Sequence, residues 1–404
     1  MARPLILREG EPSRSVELPR SVADALAASG VVQVGWTDRP GWWEVAASNQ
    51  IGVVVAGGVQ VVIQPKLDIN RLVFLMGYAR HPDFWRDDHV RLDTAADLPE
   101  ALTDAFVRLA KRALEQGLLK GYQTLEETLP VLRGRIREAD QLRRRWGKGI
   151  PLEVRYDEYT VDIAENRLLL AATEQLLRTP QVSARHRVGL QRLRLLLADV
   201  TTPVRGSVRP LWTPSRLNAR YAPALELAEL VLDGRSFEQC VGDVVVSGYL
   251  FNMATIFEDF VTVALREALK PYGGRSLLQY ATHLDEDAAV PVRPDFVWLE
   301  QGRPRIVVDA KYKAEKPSGF PQADLYQMLA YCTVLGLPEG HLVYAKGNED
   351  AHEHVVRRAG VRIVTHALDL DVQPAELLAT MATMVNALIR AATQETAPSG
   401  ELIS

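Results

Sequence analysis

Cysteine is nearly absent. The 404 residues hold two, Cys240 and Cys332, far apart and in no C-x-x-C arrangement. That spacing excludes a disulfide framework and a cysteine zinc site, and two buried free thiols in a reducing cytosol are expected. Long hydrophobic runs are missing too. No stretch approaches the ~18 consecutive apolar residues of a membrane span. The opening "MARPLILREGEPSRS" has no apolar core of a signal peptide, so none is expected, and the cytoplasm is the expected location. Charge of one sign is not in excess: the formal net charge is −4. Nucleic acid would therefore have to be met by a local basic patch. No G-x-x-x-x-G-K-[ST] occurs, which excludes a P-loop NTPase within the chain, and H-E-x-x-H is absent, which leaves His352 and His354 as ordinary surface histidines. Internal repeats and low-complexity linkers are also lacking.

What is present is ordinary for a globular chain, 47% hydrophobic and 24% charged. At about 150 residues per domain, two or three domains are expected. Residues 1–90 carry strand signals: "WWEVAAS", "IGVVVAG" and "VQVVIQPKL", with Gly57-Gly58 as a hairpin turn and Pro65 as a stop. From Leu72 the period becomes helical. Residues 91–240 read as a mostly helical middle region, through "EALTDAFVRLAKRALEQGLLKG", "DIAENRLLLAATEQLLRTP", "SARHRVGLQRLRLLLADV" and "APALELAELVLDG". A basic run interrupts it as an irregular or β insertion. Residues 241–390 start with "GYLFNMATIFEDFVTVALREALKPYGG", read as one long helix, and continue β–β–α–β–β, which suits a mixed sheet covered by helices. Residues 391–404 read as a frayed tail. The fold class expected is multidomain α+β: a β-rich N-terminal domain, a helical middle and a C-terminal mixed α/β domain.

The chemistry concentrates in "RPDFVWLEQGRPRIVVDAKYK", Arg293 to Lys313. Alternation along a strand puts Asp309 and Lys311 on one face. A turn at Gln301-Gly302 lets the preceding strand, which begins at Asp295, pair with the first and bring the two carboxylates together. Side-by-side carboxylates repel unless a cation neutralises them, and Mg²⁺ takes one or two carboxylates plus phosphate oxygens. A lysine beside it can serve water or phosphate. Asp-x-Lys alone is weak, because such triplets are common. Glu258, or Asp259 beside it, lies on the preceding helix, and Gln327 on the following one could bond to substrate or lysine, or fill a packing gap. Lys313 could add a phosphate contact or be solvated.

The set Glu258, Asp295, Asp309-Ala310-Lys311 and Gln327 resembles the PD-(D/E)xK nuclease superfamily. Together with "VDIAENRLLLAATEQLL", "RLNARYAPALELAELVL", "LFNMATIFEDFV" and "DLYQMLAYC", the chain is identified as similar to the McrC family, nuclease subunits of McrBC-type modification-dependent restriction systems. The resemblance implies a restriction-endonuclease-like C-terminal domain that cuts double-stranded, modified DNA with Mg²⁺, Mn²⁺ being a possible substitute. It implies metal binding by Asp295 and Asp309 with Glu258 in support, and Lys311 serving the attacking water. It also implies docking on a hexameric McrB-type AAA+ GTPase whose activity the chain stimulates. Alternatives are a stand-alone repair-type nuclease and a non-catalytic adaptor that activates an AAA+ ring. The basic run, Arg133, Arg135, Arg137, Arg143, Arg144, Arg145 and Lys148 against Glu138 and Asp140, suits phosphate contacts, partner contacts or a solvated face, with Trp146 stacking on a base or packing on the protein.

Overall fold

The computed structural model describes residues 4–85, 98–180, 182–202, 208–312, 322–345 and 352–394. The chain divides into two compact units, Met1–Leu98 with Phe237–Ser404, and Pro99–Ser236. The N-terminal segment and the expected nuclease region thus fall within one unit.

In that unit the N-terminal strands divide: Arg14–Glu17, Trp42–Ala47 and Val32–Trp36 form a three-stranded sheet among themselves, and the others join strands from far along the chain. A five-stranded sheet runs in the order Leu5–Arg8, Val59–Gln64, Gln50–Ala56, Val244–Asn252, Arg235–Val241. Gly57 and Gly58, both at positive φ, form the expected two-residue turn between Ala56 and Val59. Val244–Asn252 corrects the reading of residues 248–252 as helix. "GYLFN" pairs antiparallel with Gln50–Ala56, and the helix starts only at Met253. The apolar run is compatible with either state, and the waiting partner strand decides it. Asn252 ends the strand and caps the helix, accepting from the amides of Ala254 and Thr255. Cys240, expected to be buried, is exposed on the edge strand, while Cys332 is buried.

The second large sheet has six strands in the order Arg275–Leu278, Phe296–Glu300, Arg303–Lys311, Glu339–Ala345, Arg362–Leu368, Glu353–Val355. Its first three strands are antiparallel, and Arg303–Lys311, Glu339–Ala345 and Arg362–Leu368 run parallel. The Gln301-Gly302 turn, at positive φ, joins Glu300 to Arg303 as expected. The helix Gln322–Leu335 packs Met328, Tyr331 and Cys332 against Leu342, Tyr344 and Ile363. Gly340 lies directly under that helix; a Cβ there would come within 2.5 Å of the Cys332 and Met328 sulfurs. The helix Met253–Leu269 buries Phe257, Phe260, Val261 and Leu265, and Phe260 meets Phe74 and Tyr78 of the helix Ile69–Arg80.

Pro374–Gln394, part of which was expected as a tail, is a helix. By length and composition it would pass for a membrane span, but Leu377, Met381, Val385 and Leu388 are buried at helical spacing. The tail from residue 395 lies outside the described residues.

The other unit holds the expected helices Leu98–Leu114, Ala164–Arg178, Ala184–Leu196 and Ala222–Asp233. The basic run belongs to a small three-stranded sheet, Gly121–Leu129, Leu152–Thr160 and Arg135–Ile136, with a short helix Glu138–Arg145.

Candidate active site

The strand Arg303–Lys311 alternates as its sequence requires. Asp309 and Lys311 share a face, and their Oδ2 and Nζ atoms are 2.5 Å apart. Asp309 is only 2% exposed. Among the described residues the Lys311 ammonium is the group set against Asp309 Oδ2, a buried oxygen that no well-aligned hydrogen bond reaches. Asp295 precedes the paired strand and is 8% exposed. Its Oδ2 accepts from the amide of Ala310 at 2.9 Å, a bond from the residue between Asp309 and Lys311. Asp295 Oδ1 accepts from the side-chain amide of Gln279 at 3.0 Å, and the same nitrogen donates to Glu258 Oε1 on the helix Met253–Leu269. Asp295 therefore stands between Glu258 on one side and Asp309 on the other.

The electrostatics follow from crowding like charges under cover. Burial, and then the Asp295 charge, push the Asp309 carboxyl up to about 7 against the opposing pull of Lys311. Burial and Asp295 push Glu258 up to about 7 as well. Burial disfavours the Lys311 ammonium, but Asp309, Asp295 and Asp324 outweigh it and hold its pKa above the usual lysine value. Among the described residues the chain has thus collected several oxygen donors and set one cation, Lys311, against them. An all-oxygen set of this kind fits a hard divalent cation such as Mg²⁺ or Mn²⁺.

Of the residues singled out from sequence, Asp295, Asp309, Lys311 and Glu258 come together. Asp259 is exposed. Gln327 also lies exposed, and the residue of that helix whose charge reaches Lys311 is Asp324, a buried acid accepting from the Tyr344 hydroxyl at 2.9 Å. Lys313 lies outside the described residues. Gln279 went unnoticed in the sequence because neither its spacing nor its surroundings "LLQYA" mark it. One more link was invisible: Glu9, 2% exposed, accepts from the hydroxyl of Tyr312 at 2.9 Å, and Tyr312 packs beside Phe257 with ring centroids 5.9 Å apart. A residue 303 positions away thereby holds the chain at the junction just past Lys311.

The basic run is arranged differently. Arg133 pairs with Glu158 at 3.1 Å and lies over the ring of Tyr156; Arg143 pairs with Asp140 at 2.7 Å; Arg144 and Arg145 flank the buried Glu153 at 3.4 and 3.5 Å. Arg137 pairs with Glu126 at 2.9 Å and also with Asp140. Arg135 is exposed on its short strand, and Lys148 is exposed after the helix. Apolar side chains stand out beside them: Trp146 is 81% exposed, and Leu132, Leu142 and Ile150 are also exposed.

Comparison with known proteins gives a consistent picture. The family model described as "McrBC 5-methylcytosine restriction system component" matches residues 45–345. A chain of the refined half-complex from a tetradecameric assembly of Thermococcus gammatolerans McrB AAA+ hexamers with bound McrC has the same fold. The TM-score is 0.57 at 17% identity, over 96% of this chain and 100% of that one. The cryo-EM structure of the Thermococcus gammatolerans McrBC complex matches more weakly, with a TM-score of 0.38 at 18% identity over 66% of this chain and 88% of that one. No curated protein matches the chain.

Proposed function

The chain belongs to the McrBC 5-methylcytosine restriction system component family, and we propose that it is the subunit that cuts DNA. One observation carries this reading: Asp295 lies between Glu258 and the buried Asp309, with Lys311 against the latter. Glu258, Asp295 and Asp309 would hold Mg²⁺, or Mn²⁺ in its place. Bound there, the cation would supply Lewis acidity toward a phosphodiester. Asp295 is fixed for this by the Ala310 amide, which ties it to the strand bearing Asp309 and Lys311. Lys311, kept charged by its acidic neighbours, acts as a hydrogen-bond donor that orients the attacking water and meets the phosphate, rather than as a neutral base.

The proposal extends to a partner. The fold is shared with a half-complex of McrB AAA+ hexamers with bound McrC, and this chain has no phosphate-binding loop of its own. It is taken to dock on an McrB-type AAA+ GTPase and stimulate it, while the partner selects modified double-stranded DNA. The exposed Trp146, Leu142, Leu132 and Ile150, on the helix and loops beside the small sheet, make this region the candidate docking surface.

The test combines the purified chain, its AAA+ partner, GTP and Mg²⁺ with methylated and unmethylated plasmid. Cleavage of methylated DNA that disappears in Asp309→Ala is expected. Cleavage surviving that substitution overturns the site, and cleavage without the partner favours a stand-alone nuclease. Stimulated GTP hydrolysis with no cleavage favours an adaptor.

A further inference from the structure

Glu258 and Asp295 arrive from different places, a helix and the start of a strand. Their like charges repel. Gln279 bridges them with one amide nitrogen, donating to Asp295 Oδ1 at 3.0 Å and to Glu258 Oε1. Its own position is over-determined. The strand Arg275–Leu278 pairs with Phe296–Glu300, and that pairing is prolonged by the Gln279 amide donating to the Asp295 carbonyl at 2.8 Å and the Tyr280 amide donating to the Pro294 carbonyl at 3.0 Å. Arg293 Nε donates to the Gln279 carbonyl at 3.3 Å. The backbone at Gln279 sits at φ +52°, in the left-handed region that a side chain such as glutamine rarely adopts. Strain of this kind persists where surrounding contacts enforce it, and it collects at functional positions.

Each oxygen of Asp295 accepts one hydrogen bond, Oδ2 from the Ala310 amide and Oδ1 from the Gln279 side chain. Gln279 grips Oδ1 together with the nearest oxygen of Glu258. A carboxylate oxygen has two lone-pair sites, so it can keep this donor and still face a metal. We propose that Gln279 is a positioning residue that sets the Glu258–Asp295 pair for divalent-cation binding. The proposal rests on the metal-dependent reading above and adds a residue to it.

The experiment measures Mn²⁺ affinity by calorimetry, and the rise in melting temperature with added Mn²⁺, for the full chain and for Gln279→Gly and Gln279→Asn. Glycine and asparagine both tolerate the left-handed backbone, and neither can span the two carboxylates. The dissociation constant is expected to rise by about 10–100-fold in both, the usual penalty for losing a group that orients a metal ligand. The Mn²⁺ concentration giving half-maximal DNA cleavage is expected to move by the same factor. An unchanged or tightened affinity overturns the proposal while leaving the site intact. So does loss of the fold in both variants, which would make the side chain a structural support only. Wild-type protein that binds no divalent cation overturns this proposal and the metal-dependent reading together; Asp309→Asn, expected to lose the binding, anchors that comparison.

Discussion

The chain handles charge in two opposite ways. In the small sheet and helix around Arg133–Arg145, most arginines already face an acid: Arg133 meets Glu158, Arg137 meets Glu126 and Asp140, Arg143 shares Asp140, and Arg144 and Arg145 share Glu153. At the end of the strand Arg303–Lys311, acids are gathered beneath cover, and among the described residues Lys311 alone stands against them as a cation. The first arrangement is self-sufficient. The second is incomplete and asks for something from outside. Dense charge in a sequence is therefore a poor guide to function until the structure shows which charges already have partners.

This contrast is broken most forcefully at Asp309. Asp309→Ala is expected to reduce DNA cleavage at least ~10³-fold in the presence of partner, GTP and Mg²⁺, on the scale of removing a charge-stabilising group from a reacting centre. A plasmid-nicking assay reads it, and residual activity within tenfold of wild type would end the assignment.

A second test sharpens the same contrast through pH. Asp309 and Glu258 have carboxyl pKa values raised to about 7 in the folded state, above their ordinary values. Folding therefore favours their protonated forms. The stability this contributes is fully present below about pH 4 and is lost as pH rises through 7. Without metal, the melting temperature should fall between pH 5 and pH 8. The fall should be smaller in Asp309→Asn, and Mg²⁺ should restore wild-type protein at pH 8 far more than at pH 5, because protons compete for the same oxygens. Equal slopes for wild type and Asp309→Asn would contradict the picture of uncompensated acids.

Smaller effects are expected where charge is matched. Glu153, 1% exposed, accepts from the Thr128 hydroxyl at 3.1 Å besides flanking Arg144 and Arg145. Glu153→Gln should destabilise the small sheet by about 1–2 kcal/mol in urea unfolding, because a buried acceptor with ionic contacts is replaced by a neutral amide. Arg143, on a solvated pair, should change stability by no more than about 0.5 kcal/mol on conversion to alanine. A large loss of DNA affinity in Arg143→Ala, with a flatter salt dependence, would show that this face engages phosphates despite its internal pairing.

The sequence made the hairpin legible. The Gln301-Gly302 turn and the alternation of "RIVVDAKYK" are local rules, and together they bring Asp295 to Asp309. Helices with clear stops were legible for the same reason. Local rules failed where a distant strand decided the outcome, as at residues 248–252, which become strand because Gln50–Ala56 offers them an edge. Gln327 lies exposed, as a polar residue on an apolar helix can, whereas Asp324 of the same helix is buried and its charge acts on Lys311. Gln279 and Glu9 left no signal, because each acts through side-chain hydrogen bonds to residues distant in the sequence rather than through a pattern.

The strand Val244–Asn252 lies between Gln50–Ala56 and Arg235–Val241 and runs straight into the Asn252-capped helix that bears Glu258. Cutting the gene so as to express only residues 242–404 would strip that strand of both neighbours. It would also deprive Tyr312 of its carboxylate acceptor. Such a fragment would present nine residues of unpaired, largely apolar backbone to any other chain, and it should precipitate rather than digest DNA. The half of this molecule that carries Glu258, Asp295 and Asp309 leans on its N-terminal strands.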